Sequence, residues 1–196
     1  MAFFLLERDE PRVEGARVYM RPPLRRDWKA WAELRTASRE FLVPWEPTWP
    51  SDALSRTAFR RRLDRHSDEW ERDSGYAFFI FRRGDDALLG GINLNNVRRG
   101  VAQMASLGYW IGKPHAQRGY MTEGVRCAIT FAFDHIGLHR LEAACLPSNG
   151  SSRSVLRRCG FREEGLARRY LRINGEWQDH VLFGYLREDD QLRVEA

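Results

Sequence analysis

Two rhythms of apolar residues run along this chain. Steps of three and four predict a helix over Arg25 to Arg39, where Trp28, Trp31, Ala32 and Leu34 share one side. The same rhythm over Ser51 to Arg72 aligns Leu54, Ala58, Phe59, Leu63 and Trp70. It returns up to Ile136, on Met121, Val125, Ala128, Ile129, Ala132 and Phe133, with Gly137 as a stop. A shorter helix is predicted from Ser151 to Cys159, closed by Gly160. Between these lie runs that read as strands: Arg17 to Arg21, Tyr76 to Phe81, Ala87 to Leu94, Gln103 to Ile111, Arg140 to Leu146, Phe161 to Ile173 and Trp177 to Leu186. Gly84-Asp85-Asp86 and Asn174-Gly175 supply hairpin turns. Pro44, Pro47 and Pro50 make residues 41–50 a loop, and its aromatic content implies that it packs over something. The order is strand, two helices, three strands, helix, strand, helix, two strands. That is a single mixed α/β (α+β) domain over residues 17–187, with an arm at 1–16 and a tail at 188–196.

Composition narrows the class. A chain of 196 residues suits one domain with a substantial core, and 43% hydrophobic with 30% charged residues is ordinary for a globular protein. The longest apolar runs, such as Phe3 to Leu6, are too short to cross a bilayer, and that run lacks the flanks of a signal peptide. A cytoplasmic location and no membrane partner are expected. Cys127, Cys145 and Cys159 are odd in number and widely spaced, which argues for buried thiols rather than a disulfide framework or a metal pair. No metal is expected. The net charge of +5 rests on arginine, Lys29 and Lys113 being the only lysines. These charges spread from Arg8 to Arg193, so they suit general attraction of anions better than a nucleic-acid-binding arm.

One stretch carries chemistry. His115-Ala116-Gln117-Arg118-Gly119-Tyr120-Met121-Thr122-Glu123-Gly124 follows a predicted strand and opens a predicted helix. A glycine-bearing turn there exposes backbone N–H groups at the positive end of a helix, an arrangement that suits phosphate. The stretch has neither the G-x-G-x-x-G of a dinucleotide site nor the Gly-Lys-Ser/Thr of a P-loop. Turns of this kind also serve plain structure in many α/β domains.

The order of elements and the residues of the C-terminal half resemble the GNAT superfamily of acyl-CoA-dependent N-acetyltransferases. In that family the pyrophosphate loop carries Gln/Arg-x-x-Gly-x-Gly/Ala, matched here by Ala116-Gln117-Arg118-Gly119-Tyr120-Met121. Gly119 agrees; Ala116 and Met121 depart, but a cradle of main-chain donors survives both changes. The chain is most similar to the RimJ/RimL branch, the ribosomal-protein alanine N-acetyltransferases, and within it to RimJ. The similar stretches are residues 41–47, 107–111, 119–123, 147–152, 160–165 and 173–180.

The resemblance implies a central, mostly antiparallel sheet of about seven strands with about four helices, splayed at a cleft for acetyl-CoA. It implies that Tyr109, Trp110 and Ile111 offer backbone to the pantetheine, and that a main-chain N–H there polarises the acetyl carbonyl. Gln117, Arg118, Gly119, Tyr120, Met121 and Thr122 would hold the pyrophosphate. Asn149 and Ser152 match an Asn-x-x-Ser beside the thioester, where Ser152 would supply a hydrogen bond and then a proton to the departing thiolate. Either residue could equally cap the helix that follows.

The general base is less legible. RimL-like members carry a Glu at the position of Leu171. Glu46, in the aromatic loop, is the candidate that could receive an amine; Glu123 reads as a helix-dipole residue, and Glu176, Asp179 and His180 as surface. An α-amine, with a pKa of roughly 7.7–8.0 against about 10.4 for lysine, needs little base assistance. The expected acceptor is therefore a protein N-terminus, with the ribosome as a candidate partner and either a monomer or a homodimer as the working state. Alternatives are a small-molecule amine acceptor, a non-catalytic CoA-binding module, and an RNA- or ribosome-associated module.

Overall fold

The computed structural model describes residues 11–189. The strands are β1 (Val13–Glu14), β2 (Val18–Arg21), β3 (Tyr76–Arg82), β4 (Leu88–Arg98), β5 (Met104–Ile111), β6 (Arg140–Cys145), β7 (Arg162–Ile173) and β8 (Glu176–Leu186). They form one open sheet in the order β1-β2-β3-β4-β5-β6-β8-β7. Every pairing is antiparallel except β5 with β6. The additional strand beyond the pattern-based set is β1, from within the predicted arm. Residues 1–10 of that arm and 190–196 of the predicted tail lie outside the described residues.

The α-helices are α1 (Trp28–Ala37), α2 (Arg39–Leu42), α3 (Arg56–Glu71), α4 (Tyr120–Thr130) and α5 (Gly150–Cys159). Two apolar clusters follow from strand alternation. On one face Met20, Phe78, Ile80, Ile92, Leu107 and Leu141 pack with α4 and α5. On the other, Tyr19, Phe79, Phe81 and Leu88 pack with Trp31 of α1 and Phe59 of α3. The helix α4 comes close to the sheet through Gly124, where a methyl group would stand 2.8 Å from Ile80 Cδ1.

Two local readings need correction. Residues 41–50 are not all loop: α2 runs to Leu42, and a 3-10 turn covers Val43–Trp45. Pro44 lies in the first turn of that 3-10 segment, where its missing N–H costs nothing. The third helix begins five residues later than Ser51, because Ser55 accepts a hydrogen bond from Ala58 N and sets the N-terminus there.

Candidate active site

The site is built around a gap in the sheet. Met104 to Leu107 of β5 pair with Arg140 to Ala143 of β6. Beyond Leu107, β5 stays with β4 as far as Ile111↔Gly90, while β6 stays with β8 as far as Cys145↔Val181. Gly108 to Ile111 therefore present one side of their backbone with no ladder partner among the described residues. Tyr109 and Ile111 pack on the helix-α4 core, and Trp110 packs in the opposite cluster beneath Arg35. Gly91 makes room for Trp110, since a methyl there would lie 2.6 Å from its Nε1.

At one end of this gap lies the turn before α4. Gln117 (φ 59°) and Gly119 (φ 80°) take left-handed conformations, the backbone pattern from which anion-binding concavities of successive amides are built. None of the N–H groups of residues 117–122 donates to another group among the described residues. Orphan donors in a row at a helix N-terminus fit the pyrophosphate of a CoA thioester. The side chain of Met121 is buried in the core, so its departure from a small residue leaves the cradle intact.

Distant residues reinforce this turn. The Arg17 guanidinium donates to Arg118 O at 3.2 Å and lies 5.0 Å over the Tyr120 ring. Glu123 anchors it, accepting from Arg17 N, from Arg17 Nε at 3.0 Å and from Val18 N at 3.1 Å. Burial alone would raise the Glu123 carboxyl, but these donors outweigh it and hold it below its ordinary value. Arg82 bonds Asp85 and reaches Tyr120, and burial together with Arg82 and Arg118 depresses His115. Sequence reasoning missed Arg17 and Arg82, because nothing in local spacing links β2 or β3 to the start of α4.

On the far side of the gap, Asn149 caps α5 by accepting from Ser152 N at 3.0 Å. The Ser152 hydroxyl lies 2.8 Å from Tyr109 OH, which also approaches Ser152 O at 3.3 Å. Burial pushes the Tyr109 phenol far above its ordinary value, so it stays a donor. Cys145 is raised by burial too, with a hydrogen bond from Ser152 opposing the shift. Asn149, Ser152 and Tyr109 thus meet where β5 and β6 part.

The sheet face opposite α4 and α5 carries a cavity of about 300 Å³, lined among others by Asn95, Gly108, Glu142, Tyr170 and Leu171. Two register shifts in β7, with Arg169 at φ 47°, bring Tyr170 and Leu171 to this cavity. Leu171 is apolar at the position where RimL-like relatives would place a Glu. Glu46 stands in a different setting: Oε1 accepts from Arg35 Nη1 at 3.2 Å, and Oε2 from Arg35 Nη2 and from Trp49 Nε1 at 2.7 Å. Arg35 is buried and flanked by the Trp31, Trp49 and Trp110 rings. The Glu46 carbonyl accepts from Asn174 N at 2.9 Å and ties this turn to the β7–β8 hairpin. His180, expected at the surface, is 2% exposed, with Nδ1 2.9 Å from Gln178 O. Asp179 accepts from Arg169 N at 2.8 Å, and Glu176 is exposed.

Among the described residues no cluster of three or more His, Cys, Asp or Glu could hold a metal ion, and no helix is long and apolar enough to cross a membrane. The Acetyltransferase (GNAT) domain model matches residues 17–162. A probable N-acetyltransferase of Bacillus subtilis is 35% identical over 179 residues, 91% of this chain and 99% of its own. The [ribosomal protein uS5]-alanine N-acetyltransferase of Escherichia coli is 34% identical over 80% of this chain and 81% of its own. Mycobacterium smegmatis RimJ, solved in complex with CoA-disulfide, superposes with a TM-score of 0.83 at 32% identity, covering 91% of this chain and 88% of that one. The gap, the amide cradle and this breadth of likeness lead to one conclusion: the chain belongs to the GNAT acetyltransferase family and is an acetyl-CoA N-acetyltransferase related to the ribosomal-protein acetyltransferases.

Proposed function

We propose that the chain acetylates the N-terminal α-amine of a polypeptide, with ribosomal proteins as the first acceptors to try. The observation that carries this reading is the wall of the acceptor cavity. Tyr170 and Leu171 line it, and with Leu166 and Trp177 they are four of the six exposed large hydrophobics among the described residues. A surface of that kind suits polypeptide side chains better than a small polar amine. The relatives named as ribosomal-protein alanine acetyltransferases point the same way.

The surface favours an acceptor that is not strongly basic. Glu163 is paired with Arg153 and Arg157, Glu164 with Arg140 and Asp189 with Arg162, while Glu188 lies 3.5 Å from the His139 ring. Apart from Glu188, the acidic residues that could draw a basic tail are thus paired with arginine as far as Asp189; Asp190 lies outside the described residues. A ribosomal-protein acceptor puts the enzyme in the cytoplasm.

The roles follow the geometry. The backbone of Tyr109, Trp110 and Ile111 pairs with the pantetheine and polarises the acetyl carbonyl. The amides of Gln117, Arg118, Gly119, Tyr120, Met121 and Thr122 take the pyrophosphate, with Arg17 and Arg82 adding charge. Asn149 shapes the turn beside the sulfur. The Ser152 hydroxyl, oriented by Tyr109, donates to the departing sulfur. Glu46 shapes the acceptor side by holding Arg35 and the 43–49 turn. Catalysis comes from positioning and carbonyl polarisation.

Thiol release from acetyl-CoA tests the reading, using Ala-first and Ser-first peptides, an Nα-blocked lysine peptide and simple amines. Release with the free-N-terminus peptides is expected. Release only with lysine or small amines would sink it. Ser152→Ala should lower kcat by more than about tenfold with little change in acetyl-CoA affinity, a loss within the range of one proton-transfer group.

A further inference from the structure

The acceptor cavity holds a carboxylate that the chain's pattern did not single out. Glu142 lies on β6 opposite Ser106 of β5 and lines the cavity. The gap opens two residues further along β5, at Gly108, a rise of about 7 Å along a strand. A glutamate side chain with one bridging water spans that distance. Arg140 Nε donates to Glu142 Oε1 at 2.9 Å, and no donor among the described residues reaches Oε2. Glu164 meets the same guanidinium with both oxygens. Two carboxylates against one guanidinium leave this triad with a surplus negative charge, which favours an incoming ammonium. Gly184 leaves room for this triad: a methyl there would press on the Glu164 carboxylate and stand 2.8 Å from Arg140 Nη1.

The other carboxylates near the site are committed elsewhere. Glu46 is gripped by Arg35 and Trp49, and Glu123 by Arg17 and Val18 on the donor side. Building on the acetyl-transfer reading above, we infer that Glu142 receives the acceptor α-ammonium in this cavity and takes its proton, directly or through one water. The neutral nitrogen then forms a bond to the acetyl carbon. The carbon–sulfur bond breaks with its electron pair going to sulfur, and the thiolate takes a proton from Ser152. Overall the ammonium gives up two protons as the neutral amide forms: the first passes through Glu142 to solvent, and the second leaves the nitrogen after attack and restores to Ser152 the proton it gave to the thiolate. The ionisable groups facing Glu142 are Arg140 on its own strand and Glu164 and Tyr170 from β7. At the cavity, β4, β5 and β8 present Asn95, Ser106 and Leu182.

The test compares wild type, Glu142→Gln and Glu142→Asp with an Ala-first peptide across pH, alongside acetyl-CoA affinity. Loss of a proton acceptor should cost kcat/KM about 100-fold near pH 6.5, where the amine is charged. The deficit should shrink to less than about fivefold near pH 9, where the amine is already neutral. Acetyl-CoA affinity should stay within about twofold in both variants, since Glu142 lies outside the cradle. Glu142→Asp keeps the charge at a shorter reach and should recover part of the loss, with the same pH trend. A Glu142→Gln profile parallel to wild type, or kcat/KM within about twofold at every pH, overturns the assignment. If Glu142→Gln fails to bind acetyl-CoA, the Asp variant decides by the same pH comparison. A wild-type chain that releases no thiol with any amine overturns the acyl-transfer reading itself, whereas an active wild type matched by Glu142→Gln overturns this inference alone.

Discussion

Glu46 shows how a single residue's partners redefine it. In sequence it is a carboxylate in an aromatic loop, free to receive an amine. In the fold its side chain is 20% exposed against an Arg35 side chain 8% exposed, and Arg35 Nε has no hydrogen-bond partner among the described residues. Removing the carboxylate would strand a buried cation, which costs about 3–5 kcal/mol. Glu46→Ala is therefore expected to lower the urea midpoint sharply, with Glu46→Gln losing less. A stability equal to wild type in Glu46→Ala would contradict the anchoring role. Glu123 gives a pH signature. Its folded pKa lies below 4.5, so its contribution is complete above that value and is withdrawn as the pH falls through the lower folded value. Glu123→Gln should therefore show a shallower loss of stability in acid than wild type, read as urea midpoints at successive pH values.

Elements were legible where their own residues decide them. The apolar steps in α4 and the Asn174-Gly175 turn, with both residues at positive φ, each needed only local information. The apolar period starts α3 too early because the Ser55 cap decides its first residue, and three prolines read as a loop hide the helical turn at 43–45, where Pro44 is tolerated in the first turn. The close approach of α4 is also an element-scale property. Gly124 sits over Ile80 and Ile92, so a larger side chain must lift the helix that presents the cradle. Gly124→Val should cost about 1–3 kcal/mol of stability and weaken acetyl-CoA binding together. Calorimetry on the variant checks both, and unchanged affinity in a destabilised variant would separate the helix seating from the cradle.

Across the whole molecule, the proposed donor side can be named from sequence because its parts are contiguous: Gln117 to Thr122 and Asn149 to Ser152 are each short runs. The proposed acceptor side cannot, because β6, β7 and the 43–49 turn meet only in space. Leu171 marks where the family pattern ran out, and Glu142 sits on a strand whose period explains it as an ordinary outward-facing residue. Arg17 reaches α4 across more than a hundred residues, a separation that no local pattern spans.

The parting of β5 from β6 makes the sheet's centre an edge. Amides at Gly108 to Ile111 that face the gap lack the ladder that protects their neighbours, so in the free protein they should exchange with solvent far faster than those of β3. A ligand that supplies the missing ladder also enters the folding equilibrium. At a concentration of about 100 times its Kd it adds roughly 2.7 kcal/mol to the folded state. Acetyl-CoA should therefore slow exchange at these amides and raise the melting temperature in proportion to the logarithm of its concentration. Exchange at residues 108–111 that is indifferent to the ligand would contradict this. On these terms a cell rich in acetyl-CoA should keep more of the enzyme folded and beyond the reach of proteases.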